Sequence, residues 1–276
     1  KSFWLDAGLH EVRNYLSDLI LEMVENYDVD GINLDYIRYP GKNFEDDFSF
    51  QVHGKGLPRD EFRRKNINSL VKEIYDKVKS LRPEIKVGAS PIGVYRKLKG
   101  MISWESYSDL YQDSYGWLKE KIVDYLSPQI YWALDENPKF DILAKDWIEN
   151  SNGRNIILGI GAFKDNVKPQ INDLINLSRK LKSSGVAFFR YENIKDYNFN
   201  LFDYKTFPTE MPWLINKYPP QPFNLSFKKN DDDKLFTLFW DLEKNSNADS
   251  VEYFSIYNLP KINSKTNEEN LFDVIP

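Results

Sequence analysis

Helical and strand-like segments alternate along the first two thirds of the chain. Apolar residues recur at helical spacing over about 10–27, 60–81, 115–121, 142–149 and 167–183. Short apolar runs separate these segments at about 29–37, 85–90, 123–132, 155–161 and 185–191. This alternation predicts an α/β protein with a parallel sheet and helical crossovers. Because each run is apolar almost throughout, both faces of the sheet are expected to be covered.

Two architectures fit this alternation, a (β/α)8 TIM barrel and a doubly wound sheet. A complete barrel needs eight strands and roughly 250 residues, but this chain begins on a helix. We therefore expect a barrel whose first strands, about three, lie upstream of Lys1; the alternative is an open sheet. Both folds place their sites at the carboxyl ends of the strands. Neither phosphate-binding glycine motif, GxGxxG or GxxxxGK[ST], is present, which disfavours a nucleotide site.

The composition changes near Pro208. Prolines cluster at 212, 219, 220 and 222, so we predict a boundary between a barrel domain, 1–218, and a second domain, 219–276. Three segments of the second domain alternate like strands, at 223–227, 235–241 and 252–257. They predict a partial fibronectin type III-like β-sandwich, since a whole one has about seven strands and roughly 100 residues.

The composition limits the chemistry that is available. With no Cys and two His, the chain lacks ligands for a thiolate or multi-His metal site, and we expect neither metal nor cofactor. The net charge of −5 argues against a nucleic-acid partner. The sequence contains no apolar run of about 18 residues, which is the length that would predict a membrane span. The aromatic fraction of 15% suits a polysaccharide partner, because aromatic rings stack on the C–H faces of sugars.

Carboxyl, amide and aromatic side chains gather where the predicted strands end. Two carboxyls that flank a glycosidic bond suffice for its hydrolysis, so we predict Asp35 and Glu192 as the acid/base pair, with Asp113 in reserve. The side chains expected to position the sugar are Tyr36, Arg38, Tyr39, Arg64, Gln129, Tyr131 and Trp132. The structural alternative is that these carboxyls serve ion pairs, for example Asp35 with Arg38, and that the rings fill the core.

The same segments resemble the bacterial glycosyl hydrolase-like family ten. The stretches that carry the resemblance are Leu5–Gly8, Glu11–Leu16, Tyr27–Pro40, Phe62–Asn68, Gly88–Gly93, Tyr111–Asp113, Trp117–Lys119 and Asp124–Trp132. The resemblance implies a (β/α)8 barrel and a secreted or lipid-anchored envelope enzyme, in a family that includes a hydrolase of peptidoglycan glycan strands stripped of their peptides. Asn33 stands where the family often has His. The chitinase-type motif DGxDxDxE is not matched, because Ile37 stands where its Glu would be.

The sequence thus predicts a glycosidase that cleaves a bacterial cell-wall glycan, peptidoglycan first, or another polysaccharide by carboxylate acid/base catalysis. The predicted location is the cell envelope, periplasmic or extracellular, with a lipid anchor upstream of Lys1 as one form of attachment. Two alternatives remain open. One is a non-catalytic carbohydrate-binding envelope protein that uses the same aromatic cleft, and the other is an envelope scaffold whose carboxyls are all in ion pairs.

Overall fold

In the computed structural model, the chain divides into two units, Lys1–Phe199 and Asn200–Pro276. The structure describes residues 3–199, 207–214, 220–229, 236–243, 251, 253–261, 264–266 and 268–275. The predicted boundary between 218 and 219 falls outside the described residues, so those two domain limits stay a prediction.

The first unit alternates helices with short strands. Its helices are α1 His10–Asn26, α2 Asp47–His53, α3 Arg59–Leu81, α4 Ser106–Asp109, α5 Ser114–Glu120, α6 Phe140–Glu149 and α7 Ile171–Lys180. Its strands are β1 Gly31–Leu34, β2 Lys86–Ala89, β3 Tyr125–Leu126, β4 Gln129–Ile130, β5 Asn155–Ile160 and β6 Gly185–Phe188. Each of the five predicted helices is present, and each predicted strand corresponds to one strand or, at 123–132, to two.

All six strands of this unit join one parallel sheet. β3 and β4 both pair with β5, so together they occupy one position between β2 and β5. Pro128 lies between them and has no N–H for a strand ladder, which accounts for the interruption. The strand positions therefore follow chain order without a reversal, and a mixed α/β protein with a parallel sheet is confirmed.

The helices form the outer cover of the sheet. Right-handed crossovers between strands in sequential order place successive helices on one face; accordingly, α1 contacts α3, and α6 contacts α7. A doubly wound sheet reverses its strand order at a switch point, and this sheet has no such reversal within residues 3–199. The closed eight-stranded barrel itself stays a prediction.

The core lies between the sheet and this helical layer. Six apolar side chains that recur at helical spacing along α3 are buried: Phe62, Ile67, Leu70, Val71, Ile74 and Val78. Trp117 and Trp147 are fully buried as well, and their indole N–H groups donate to Asn68 Oδ1 at 2.6 Å and to Gly93 O at 2.7 Å. Part of the aromatic content therefore serves packing, with the polar edge of each indole satisfied.

The described residues of the second unit form two antiparallel strand pairs. β7 Phe223–Lys229 pairs with β8 Phe236–Asp241, and β9 Phe254–Tyr257 pairs with β10 Leu271–Ile275. β7, β8 and β9 confirm the three predicted strand segments, except that Leu235 and Glu252 lie outside the described residues. The fibronectin-like sandwich is not established by these pairs and stays a prediction.

Candidate functional site

Polar side chains from neighbouring strands meet at the carboxyl end of the parallel sheet. Asn33 and Gly88 are paired in register, and Gly88 is paired with Tyr125 on the next strand. The Tyr125 hydroxyl donates to Asn33 Oδ1 at 3.3 Å, and Asn33 Nδ2 donates to Ser90 Oγ at 3.0 Å. A Cβ at position 88 would lie 2.2 Å from the Tyr125 ring, so only glycine leaves room for this ring. We call Asn33, Asp35, Ser90, Tyr125, Gln129 and Tyr131 the strand-end cluster.

Asp35 is the carboxylate of this cluster. Its Oδ1 accepts hydrogen bonds from Gln129 Nε2 at 3.1 Å and from the Tyr36 N–H at 2.8 Å, and Gln129 Nε2 also donates to the Ser90 carbonyl at 2.9 Å. Asp35 is exposed. Within residues 3–199 no cation forms an ion pair with it, and Arg38 instead stacks on the Tyr36 ring at 4.9 Å. An oriented, exposed carboxylate without an ion pair can exchange a proton with a bound ligand.

An aromatic surface begins at Tyr131, near this carboxylate, and extends to the end of β6. The Tyr131 ring stacks on Phe189 at 5.7 Å, and Phe163 meets both rings edge-on at 5.8 Å. Phe163 and Phe189 are 48% and 46% exposed. Burial, and then the charge of Asp35, raises the pKa of Tyr131 to about 12, so its phenol is a protonated hydrogen-bond donor at neutral pH. Flat apolar rings beside a donor and a carboxylate suit a sugar, which has C–H faces and hydroxyl groups.

The structure does not bring Glu192 into the strand-end cluster. Glu192 lies in a short turn after β6, is exposed, and pairs with Arg190 at 3.3 Å. β1 and β6 occupy the two ends of the sheet order, with three strand positions between them. Asp35 and Glu192 therefore stand at opposite ends of the described sheet, and their pairing as acid and base stays a prediction.

Asp113 and Arg64 belong to a different place, the helical layer. Asp113 is the N-cap of α5: its carboxylate accepts from Gly116 N at 3.2 Å, from the Tyr95 hydroxyl at 2.8 Å and from Asn68 Nδ2 at 3.5 Å. Arg64 stacks on the Tyr107 ring at 4.3 Å. The contacts of Asp113 are those of a helix cap and do not connect it to the strand-end cluster.

The remaining predicted sugar contacts divide between surface and core. Tyr36 is 62% exposed directly after Asp35, and Trp132 is partly exposed after Tyr131. Tyr39, in contrast, is 2% exposed and packs edge-on against Phe44 and Tyr111. Tyr39 is therefore a core residue here and has no surface that a sugar could contact.

Five members of this region were not among the predicted site residues. Asn33, Ser90 and Tyr125 lie in the stretches that carry the family resemblance, but a single amide, hydroxyl or phenol near a strand end is not a signal by itself. Phe163 and Phe189 follow the ends of β5 and β6. Their position after two strand ends was the available signal, since the carboxyl ends of parallel strands meet at one edge.

The described residues contain no group of three or more His, Asp or Glu side chains placed to hold a metal ion. Among the helices that the structure describes, none is both long enough and apolar enough to cross a membrane.

A parallel sheet whose strands follow chain order, with a carboxylate, amides and exposed rings at the strand ends, defines an α/β protein with a candidate site at the carboxyl edge of its sheet. The model of the family Glycosyl hydrolase-like 10 matches residues 1–175, and the chain belongs to this family. The family resemblance of the sequence is thereby confirmed.

Two relatives carry the name glycosyl hydrolase. YngK of Bacillus subtilis is 31% identical over 287 residues, which cover 91% of this chain and 55% of YngK. DigH of Escherichia coli K12 is 29% identical over 175 residues, which cover 59% of this chain and 40% of DigH. The chain thus spans about half the length of these relatives or less. The crystal structure of bee venom hyaluronidase is similar over 67% of this chain and 59% of its own, with 12% identity and a TM-score of 0.34.

Proposed function

We propose that the chain is a glycoside hydrolase that acts at the strand-end cluster on a bacterial cell-wall glycan, peptidoglycan first, or on another polysaccharide. One observation carries the proposal: the exposed Asp35 carboxylate is oriented by Gln129, has no ion pair within residues 3–199, and lies next to the exposed Tyr36 and near Tyr131, which stacks on the exposed Phe189. The names of its relatives in the Glycosyl hydrolase-like 10 family support the same reaction class.

In this proposal Asp35 either transfers the proton that moves when the glycosidic bond breaks or stabilises the positive charge that develops at the sugar carbon. Tyr131 donates a hydrogen bond to a sugar oxygen, and the rings of Phe163 and Phe189 cover a C–H face. Glu192 is the proposed second carboxyl. Its position at the far end of the sheet fits this role if the sheet is an arc of a (β/α)8 barrel, because closure of a barrel turns all strand ends toward one central mouth.

A polysaccharide in the bacterial envelope is the proposed partner, and the proposed location is periplasmic or extracellular, with lipid anchorage of the whole protein. These points follow from the family resemblance of the motifs around Asp35 and Trp132.

The test is release of reducing sugar from purified glycan strands and from plant polysaccharides. Asp35→Asn keeps the size of the side chain and one acceptor oxygen but removes the ionisable group, so kcat should fall at least about 100-fold. Asp141→Asn is the matched control, since Asp141 is exposed in the first turn of α6; its kcat should be unchanged. Full activity of Asp35→Asn on a proven substrate would overturn the proposal.

One observation favours a second candidate, a non-catalytic carbohydrate-binding protein. The strand-end cluster contains a single carboxylate, whereas most glycosidases use two. This candidate predicts glycan binding without turnover and equal affinity in Asp35→Asn. The scaffold alternative fits less well, because it requires carboxyls in ion pairs and Asp35 has none within residues 3–199.

A further inference from the structure

Two adjoining pockets open on the helical layer. The first has a volume of about 600 Å³ and is lined mainly by residues of α3; the second, of about 450 Å³, lies between the start of α5 and the chain after α6. Tyr107 and Asp113 line both pockets. None of the lining residues belongs to the strand-end cluster. We call the two pockets together the Tyr107 groove.

Tyr107 holds two guanidinium groups close to each other. The Cζ atom of Arg64 lies 4.3 Å from the centre of the Tyr107 ring, and that of Arg96 lies 4.0 Å from the same point. The two cations are therefore at most about 8 Å apart, a distance at which like charges near a protein surface still repel. Contact with the electron-rich ring offsets part of this repulsion.

The structure supplies no carboxylate to neutralise this pair. Within residues 3–199 neither Arg64 nor Arg96 forms an ion pair, and neither does Lys119, which lines the second pocket. Asp113, which lies between the pockets, already accepts three hydrogen bonds from other groups. Glu61 and Glu120 line the first pocket without pairing with Arg64. A ligand that brings its own negative charge would relieve the repulsion.

We propose that the Tyr107 groove binds an anionic polysaccharide through its carboxylate or phosphate groups, separately from the strand-end cluster. The planar, five-donor guanidinium matches both anions in bidentate geometry. The preference for an anion rests on Arg64, Arg96 and Lys119. The choice of a polysaccharide as its carrier rests on the proposed function.

The chain as a whole carries a charge of −5 and repels a polyanion, so anion binding requires a local cationic site. The experiment is calorimetric titration with three ligands: an oligogalacturonate for carboxylate, a glycerol-phosphate polymer for phosphate, and cellohexaose as the neutral reference. We expect one or both anions to bind, more weakly as salt is added, and cellohexaose not to bind in this groove.

The double variant Arg64→Gln/Arg96→Gln should weaken anion binding at least about tenfold. Its charge-matched control is Lys168→Gln/Lys180→Gln, which removes two exposed cations outside the groove and should leave the affinity unchanged. Arg64→Lys/Arg96→Lys keeps the charge but removes the planar fork, so an intermediate loss indicates bidentate binding. Thermal unfolding of each variant shows whether it is folded. If the double variant is not folded, the single variant Arg96→Gln, at an exposed position, replaces it in the titration.

Binding of only one anion identifies the group that the groove recognises and supports the proposal. The proposal is overturned if neither anion binds. It is also overturned if the lysine control loses as much anion affinity as the Arg64→Gln/Arg96→Gln variant, or if that variant loses cellohexaose binding to the same extent as anion binding. Asp35→Asn should bind the anions as the unaltered chain does; parallel loss would show a single site. Because turnover and anion binding are measured separately, failure of the proposed hydrolysis and failure of this groove give different results.

Discussion

Asp46 shows at the scale of one residue how the segment after β1 is held in place. It is 1% exposed, and its carboxylate accepts from Arg63 Nε and Nη2, both at 2.7 Å, and from Arg59 Nη1 at 2.8 Å. Arg63 is itself 2% exposed and also donates to the carbonyls of Lys42 and Phe44. This buried ion pair therefore attaches the loop that follows Asp35 to α3.

Asp46→Asn should destabilise the protein strongly, because it leaves the Arg63 guanidinium buried without a counter-charge. The expected cost is about 3–5 kcal/mol in the free energy of unfolding, measured by urea denaturation. Asp47→Asn is the control, since Asp47 pairs with Arg59 at 2.7 Å but is exposed, and its cost should be at most about 1 kcal/mol. Equal costs at the two positions would contradict this account.

Individual site residues were predictable where side chains alternate between the two faces of a strand, and not where this alternation stops. Gln129 and Tyr131 lie two residues apart across β4, and both reach the strand-end cluster as expected. Tyr36 has a left-handed backbone with φ of 52°, a conformation that is rare for a residue with a large side chain. The chain turns there, so alternation no longer applies to Tyr39, which enters the core. Nothing in the sequence marks this turn.

At the scale of elements, the cap of α5 offers a test of the two roles considered for Asp113. Asp113→Ala should cost about 1–2 kcal/mol of stability, because the N-cap oxygen is lost. Asp113→Asn should cost little, since Asn caps a helix about as well as Asp, and it should not change reducing-sugar release. Thermal unfolding and turnover are measured on both variants. Loss of turnover in a stable Asp113→Asn would instead assign Asp113 to catalysis.

Most elements could be predicted because long amphipathic helices and apolar strands have clear periods. The helices α2 and α4 were not predicted: α4 has only 4 residues, and in α2 the apolar residues Phe48, Phe50 and Val52 alternate rather than recur at helical spacing. Contacts with other parts of the fold stabilise α2, among them the ion pair of Asp47 with Arg59. The split of one predicted strand into β3 and β4 follows from Pro128 and was in principle readable from the sequence.

At the scale of the whole molecule, the site depends on strand order. Gln129 and Asp35 are 94 residues apart in the chain, and Tyr125 and Asn33 are 92 apart. Alternating helices and strands indicate that such residues stand at one edge of a sheet, but not which strands are neighbours. Sequential order makes β1, β2 and the β3/β4 position consecutive, and this places Asp35 beside Gln129 while Glu192 remains at the far end.

Stability of the whole molecule should fall in acid because several carboxylates have a lowered pKa. Hydrogen bonds from Arg82 to Glu84 and from Ser108 to Glu105 lower the pKa of each glutamate. At Asp46, Asp109 and Glu136 burial alone would raise the pKa, but nearby hydrogen-bond donors and cations outweigh it, and the pKa falls. At these positions, therefore, the unfolded chain takes up protons at a higher pH than the folded one.

A carboxylate with a lowered folded-state pKa contributes stability that is present above its unfolded pKa, about 4, and is lost as the pH falls through the folded value. The melting temperature should accordingly be nearly constant from about pH 7 to 5 and should fall below about pH 4. Asp46→Asn, which lacks one of these groups, should show a shallower fall than the unaltered chain over the same range, whereas Asp141→Asn should follow the unaltered chain. A melting temperature that rises on acidification, or an acid limb that is equally steep in Asp46→Asn, would show that these ion pairs do not set the pH dependence.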